Sequence, residues 1–220
     1  MKVGTDGVLL GAWACVDNAV EILDVGTGTG LIALMMAQRN PLAKVAAIDI
    51  DAHAVEQAKE NAKNSPFSDR IGIELSDFRQ YVRDGVNRFD RIVSNPPYFS
   101  DSLLSPDKGR TGARHAVSLT LGDLLFSARH CLKDRGTLSL ILPYDKNDEL
   151  ESLCDKHAFY KKRKTIVYPL PGTEPKRLLI ELALMPVKKT ETDSLTIETS
   201  RHCYTDEFAA LVKDFYLKGV

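Results

Sequence analysis

Glu21-Ile-Leu-Asp-Val25-Gly26-Thr-Gly-Thr-Gly30-Leu31 decides the fold of this chain. Its first five residues form a short apolar run that predicts a buried strand. Glycines at alternate positions then let the backbone turn sharply and approach a ligand closely. Residues 31–38 carry few polar side chains and predict a mostly buried helix, whose amino terminus offers free N–H groups. Strand, glycine turn and helix open a βαβ pattern that continues outward. Residues 44–50, 71–75, 89–94 and 136–142 predict further strands, with helices at 52–64, 78–84, 121–132 and 147–157 between or after them. The tail changes character. Residues 160–168 and 177–185 predict strands joined through Pro169-Leu-Pro-Gly172 as an antiparallel hairpin, 195–198 predicts another strand, and 205–217 a helix capped by Thr205. The expected architecture is α/β, one domain over residues 1–220: a mostly parallel seven-stranded sheet, helices on both faces, and an antiparallel hairpin at one edge.

Composition narrows the class. The 220 residues suffice for one sizeable core, and 44% hydrophobic with 27% charged is the balance of a soluble globular protein. A net charge of −1, from 29 basic and 30 acidic residues, means that any nucleic-acid surface must be local. Cys15, Cys131, Cys154 and Cys203 form no C-x-x-C pair, so buried thiols in a reducing cytoplasm are expected, with no zinc site and no disulfide framework. No apolar run approaches a membrane span, and no signal peptide precedes Met1-Lys-Val-Gly-Thr5. That abrupt start leads to the expectation of a longer natural amino terminus. Trp13 is expected in the core, and His53, His130, His157 and His202 share no motif.

The glycine turn excludes one common ligand. A dinucleotide fingerprint G-x-G-x-x-G needs glycine or alanine where this chain has Leu31. With Asp24 in front, the Gly26-x-Gly28-x-Gly30 form is the pattern of S-adenosylmethionine (SAM) methyltransferases. Such a site must hold a methionine zwitterion, whose ammonium suits Asp24 or nearby carbonyls. Asp49, closing the second predicted strand, is placed to accept from both ribose hydroxyls. Asp51 is read as the cap of the next helix. Asp77 is read either as an acceptor for an adenine amino group, with Phe78 packed on the ring, or as the cap of the helix at 78.

Asn95-Pro96-Pro97-Tyr98 follows the strand at 89–94. Two prolines have fixed φ and no N–H, so the turn is stiff and its carbonyls are free to accept. At a strand's carboxyl end, such a turn can grip a planar amino group: the Asn95 oxygen and a proline carbonyl accept its two protons, and Tyr98 stacks on its ring. Accepting those protons raises electron density on nitrogen, and catalysis then rests on positioning and placed dipoles, without a metal.

Taken in order, these elements resemble a class I, Rossmann-like methyltransferase acting on an exocyclic amino group. Met1-Lys-Val-Gly-Thr-Asp-Gly-Val-Leu-Leu-Gly-Ala-Trp-Ala14 and Tyr204-Thr-Asp-Glu-Phe-Ala-Ala-Leu-Val-Lys-Asp-Phe-Tyr-Leu217 are similar to the two ends of the bacterial tRNA1(Val) adenine-37 N6-methyltransferases. The resemblance spans essentially the whole chain. Family members usually carry a short segment before the Met-Lys-Val-Gly-Thr-Asp-Gly stretch. The resemblance implies SAM as cofactor and a valine tRNA as partner; no obligate protein partner is evident in the sequence. It implies Asn95, Pro96, Pro97 and Tyr98 as catalytic residues, and Asp24, Gly26, Gly28, Gly30 and Asp49 at the cofactor. It places Thr5 and Asp6 beside the cofactor's methionine end, where the residues alone read equally as a helix-capping turn. The alternatives are a glutamine-N5 protein methyltransferase, which normally has a helical domain before its SAM domain, and a ribosomal RNA or DNA amino-methyltransferase.

Two basic segments are candidates for RNA. Residues 99–117 predict a long loop carrying Lys108, Arg110, Arg114 and His115, read either as a lid that orders on RNA or as a solvated loop. Lys161-Lys162-Arg163-Lys164, with Lys176 and Arg177 across the predicted hairpin, is read either as a phosphate patch or as a solubilising strand edge.

Overall fold

A computed structural model describes residues 4–83, 89–97 and 119–216. Thr5–Trp13 forms helix α1, which has no amphipathic period because every residue from Gly7 to Trp13 is buried. Strands β1 (Glu21–Val25), β2 (Lys44–Asp49), β3 (Ile71–Leu75) and β4 (Phe89–Ser94) alternate with helices α2 (Leu31–Arg39), α3 (Ala52–Lys63) and α4 (Phe78–Arg83). Then follow α5 (Leu121–Cys131), β5 (Leu132–Pro143), α6 (Asn147–His157), β6 (Tyr160–Tyr168), β7 (Arg177–Ala183) and β8 (Glu191–Thr196). A small hairpin of β9 (Glu198–Ser200) and β10 (Cys203–Tyr204) leads into α7 (Asp206–Val212).

The main sheet runs β3-β2-β1-β4-β5-β7-β6-β8. β1 to β5 are parallel, β7 is antiparallel to both β5 and β6, and β8 is parallel to β6. The seven strands expected in the sheet are present, and the strand expected at 195–198 instead begins at Glu191 as β8, ends at Thr196 and adds an eighth strand beside the hairpin. β5 starts four residues before the predicted 136, because an irregularity lets Phe89 pair with Leu132 before Arg91 pairs with Thr137. Each face of the sheet carries its own core. One holds Leu9, Trp13, Met36, Val93, Leu179 and Phe208; the other holds Leu23, Phe78, Phe89, Leu125, Leu140 and Ile180. Trp13 is buried as expected, and its Nε1 donates to Thr165 Oγ1 at 2.8 Å.

β1 lies between β2 and β4, so chain order reverses direction there. In open α/β sheets the crevice outside the carboxyl ends of such a pair is the ligand site. The glycine turn follows β1 and Asn95 follows β4, so the topology brings both motifs to that point.

Candidate active site

The glycine turn is fixed by backbone bonds that only its conformation permits. Gly26, Gly28 and Gly30 have φ of +72°, +57° and +86°, the left-handed region that glycine enters without penalty. The N–H groups of Gly26 and Thr27 both donate to the Ile48 carbonyl, at 2.9 and 3.0 Å, which clamps the turn onto the end of β2. A Cβ on Gly30 would lie 3.3 Å from the Ala58 Cβ, whereas one on Gly26 would meet nothing within 4 Å. The turn is therefore packed against α3 on one side and open at Gly26.

The three acids differ in environment. Asp24 is fully buried; its Oδ2 accepts from Thr27 Oγ1 at 2.6 Å and Ala33 N–H at 3.1 Å. Its Oδ1 has no hydrogen-bond partner among the described residues. Burial pushes this carboxyl up to about 7, against the opposing pull of Thr27 and Ala33, and the nearby Asp49 charge adds to the rise. Asp49 stands at the end of β2, with Oδ2 accepting from Gly28 N–H at 2.8 Å and Oδ1 from Asp51 N–H at 3.0 Å. Each of its oxygens keeps a second lone pair for a ligand. Asp51 caps α3, accepting from His53 N–H at 2.9 Å. Asp77 accepts from Arg79 N–H at 2.9 Å and holds its guanidinium at 2.6 Å, which is the geometry of the helix-cap reading.

At the end of β4, Ser94 is buried and its hydroxyl donates to the Val25 carbonyl at 2.8 Å. That bond ties the carboxyl ends of β4 and β1 together directly before Asn95. Asn95 is half-buried, Pro96 buried and Pro97 exposed.

α1 brings Thr5 and Asp6 to the same edge. Gly7 packs so closely that a Cβ there would be 3.0 Å from Leu31 Cδ2, and Leu31 directly follows the glycine turn. Gly11 makes the same approach one helical turn later, against Met35. Thr5 and Asp6 are in the first turn of α1, whose N-cap is Gly4.

Residues 8–164 match the methyltransferase small domain family. A tRNA1(Val) (adenine(37)-N6)-methyltransferase of Parabacteroides distasonis is 50% identical over 99% of this chain and 92% of its own length. One of Trichodesmium erythraeum is 44% identical over 99% and 92%. The chain belongs to the tRNA1(Val) (adenine(37)-N6)-methyltransferase family. Solved structures are similar in fold. A predicted O-methyltransferase of Agrobacterium tumefaciens superposes with a TM-score of 0.74 at 23% identity, over 95% of this chain and 96% of that one. The glycopeptide N-methyltransferase MtfA, complexed with SAM, gives 0.58 at 13% identity, over 84% and 100%.

The structure places two sets of expected site residues of this methyltransferase against other parts of the chain. Phe78 is 2% exposed and belongs to the second core, so its ring is packed rather than presented to a ligand. Lys161, Lys162, Arg163 and Lys164 are engaged within the chain. Lys161 pairs with Glu151, Lys162 with the buried Glu181 at 2.7 Å, and Lys164 donates to Asn147 at 2.8 Å. The Arg163 guanidinium lies 3.8 Å over the Trp13 ring and donates to the Trp13 carbonyl at 2.7 Å. Nor is the patch continuous with Lys176 and Arg177: Arg177 pairs with Val167, whereas Lys161 pairs with Leu182 toward the other end of β6. Three strand spacings, about 14 Å, separate β6 from β4. Tyr98, Lys108, Arg110, Arg114 and His115 lie outside the described residues.

The methyltransferase also presents two apolar residues that the sequence reading passed over. Ile50 follows Asp49 and is 49% exposed; Leu75 pairs with Asp49 across β2 and β3 and is 53% exposed. An exposed aliphatic residue next to a strand-end acid was the available signal. Among the described residues no three metal-ligating side chains cluster, and no helix is long and apolar enough to cross a membrane.

Proposed function

We propose that this chain transfers the methyl group of SAM to the exocyclic N6 of adenosine 37 in the anticodon loop of a valine tRNA. The observation that carries the reaction class is the position of Asn95-Pro96-Pro97 at the carboxyl end of β4, beside the glycine turn that follows β1. The substrate is carried by relatives 41–50% identical to this chain, which are tRNA1(Val) (adenine(37)-N6)-methyltransferases.

The residues present fit the cofactor. Gly26 leaves open space at the turn, Asp49 offers a carboxylate at the end of β2, and Ile50 and Leu75 offer apolar surface beside it for a nucleoside. The orphan Oδ1 of Asp24 faces no protein donor among those described and suits a cationic amino-acid end. When bound, the cofactor would supply an electrophilic methyl on a sulfonium leaving group, the carbon–sulfur bond breaking as the bond to N6 forms. Asn95 and a proline carbonyl would accept hydrogen bonds from the two amino N–H groups, which fixes the nitrogen and raises its electron density. The extra proton on the methylated nitrogen then leaves to solvent. Ser94 keeps Asn95 in place through its bond to Val25. The adenosine must leave its stack, a cost of about a few kcal/mol that is smallest in a single-stranded loop. Cys131 and Cys154 are buried as expected, whereas Cys15 is half-buried and Cys203 exposed; a reducing cytoplasm would keep all four as thiols.

The test is methyl transfer from labelled SAM to unmodified valine tRNA, with a release factor and ribosomal RNA as competing substrates. Label in N6-methyladenosine at position 37 is the expected result, and label in protein or ribosomal RNA overturns the proposal. Asn95→Ala should slow turnover roughly a hundredfold or more, the scale of losing one placed dipole, while SAM affinity stays within a few-fold of wild type as judged by calorimetry.

A further inference from the structure

We propose that Arg177 is a positioning residue for the amino-acid end of SAM, acting through Asp6. The inference rests on the proposed use of SAM and goes beyond it by naming a residue on a distant strand.

The geometry starts from α1. Gly7 seats its amino terminus against Leu31, immediately after the glycine turn. Asp6 is one residue earlier, and its Oδ2 accepts from Arg177 Nε at 2.8 Å. Arg177 opens β7, where it pairs with Pro143 at the end of β5 on one side and Val167 on the other. The Asp6–Arg177 pair thus spans from the glycine turn to the carboxyl edge beyond β4. The guanidinium is itself anchored, because Nη1 donates to the Lys176 carbonyl at 2.9 Å.

An aspartate in the first turn of a helix has a competing partner. The N–H groups of that turn are unpaired within the helix, and the helix dipole draws a carboxylate toward them. Gly4, the N-cap, has no side chain to satisfy them. Without Arg177, the Asp6 carboxylate can fold back onto its own helix. With Arg177 it is held outward on the side of the site, and its remaining lone pairs can take the cofactor's ammonium. The two side chains are 33% and 27% exposed, so the pair is partly screened but not solvated.

S-adenosylhomocysteine and 5′-methylthioadenosine separate this role from general loosening, because the second has the adenosine and sulfur but no amino-acid end. By calorimetry on the full chain, Arg177→Gln should weaken S-adenosylhomocysteine binding roughly three- to tenfold, the range of a partly screened charge-assisted pair. Its 5′-methylthioadenosine affinity should not change. Arg177→Lys should recover part of the loss, and Asp6→Asn should add little to Arg177→Gln. Unchanged S-adenosylhomocysteine affinity overturns the proposal. So does an equal loss for both ligands, which reports a disturbed fold, or a loss confined to tRNA binding, which makes Arg177 a phosphate contact. Failure of the wild-type chain to bind S-adenosylhomocysteine instead sinks the SAM reading itself, a result visible before any variant is made.

Discussion

Asp24 shows how one residue links the fold to the site. It lies in the central strand, fully buried, with Thr27 and Ala33 bonded to one oxygen and no described partner for the other. Burial holds its proton up to about 7, against an ordinary value of 3.8. Between those values the native state binds a proton that the unfolded chain has released. Stability therefore falls as pH rises through this window and levels off above about 7. Asp24→Asn cannot lose that proton, so its stability should not carry this slope. Urea midpoints at pH 5 and 7.5 should show the wild type losing on the order of a few kcal/mol relative to the variant. Parallel changes in the two proteins would mean that Asp24 is ionised in the fold at neutral pH. A cationic ligand docking near the orphan oxygen would favour the ionised form, so a stability cost here is consistent with a site kept ready for positive charge.

At the scale of elements, α1 is the part on which the proposed cofactor site would depend and the part that the sequence disguises. Its negative end is held by two arginines from other elements, Arg39 donating to the Gly11 and Ala14 carbonyls and Arg163 to that of Trp13, while Arg91 donates to the Cys15 and Asp17 carbonyls in the segment after the helix. Its positive end carries Asp6. Between them, Gly7 and Gly11 let it lie directly on α2. A Cβ on Gly11 would fall 2.5 Å from Met35 Sδ and 3.2 Å from Met35 Cβ, so the buried Met35 side chain would have to move aside. Gly11→Val should cost about 1–3 kcal/mol by overpacking and weaken SAM binding as Thr5 and Asp6 shift from the glycine turn. A melt and a binding isotherm on the same sample check both, and full SAM affinity in a destabilised variant would show that α1 does not serve the cofactor. The parallel strands were legible because apolar runs bounded by glycine, proline and acidic caps say where each begins and ends; Asp51 and Thr205 cap their helices as read. α1 was not legible as a helix, since a segment buried on all sides has no period. The partners of residues 161–164 were not legible either. Glu151, Glu181, Asn147 and Trp13 are distant in sequence, and only the register of β6 on β7 brings a buried glutamate under Lys162. Phe78 is adjacent to Asp77 yet points into the core, because successive side chains on a helix diverge.

The whole molecule is polar along its strands, and that polarity decides where RNA can bind productively. The glycine turn, Asp49, Asn95, the start of α1 and Arg177 all stand at the carboxyl edge of the sheet. The opposite edge also has a cleft, of about 720 Å³, lined by Asn18, Asp90, Arg91, Lys133, Asp134 and Arg135. Its groups serve the fold: Asp90 accepts from the Val20 and Glu21 N–H groups and pairs with Lys133, while Arg91 donates to the Cys15 and Asp17 carbonyls of the segment that follows α1. An anticodon loop delivering a base to Asn95 has to lie over the carboxyl edge, where Lys176 is exposed next to Arg177. The amino edge also offers an exposed cation in Arg135. Charge reversal at each position separates general attraction from a defined footprint. Lys176→Glu should weaken valine tRNA binding and lower the slope of log K against log salt by about 0.7–0.9, the release of one counterion. Arg135→Glu changes the net charge equally but should leave both slope and affinity near wild type, since it is a full strand length from the reacting base. Equal losses from both reversals would show that the tRNA senses net charge alone, and a loss from Arg135→Glu alone would put the RNA on the wrong edge for Asn95 to act on it.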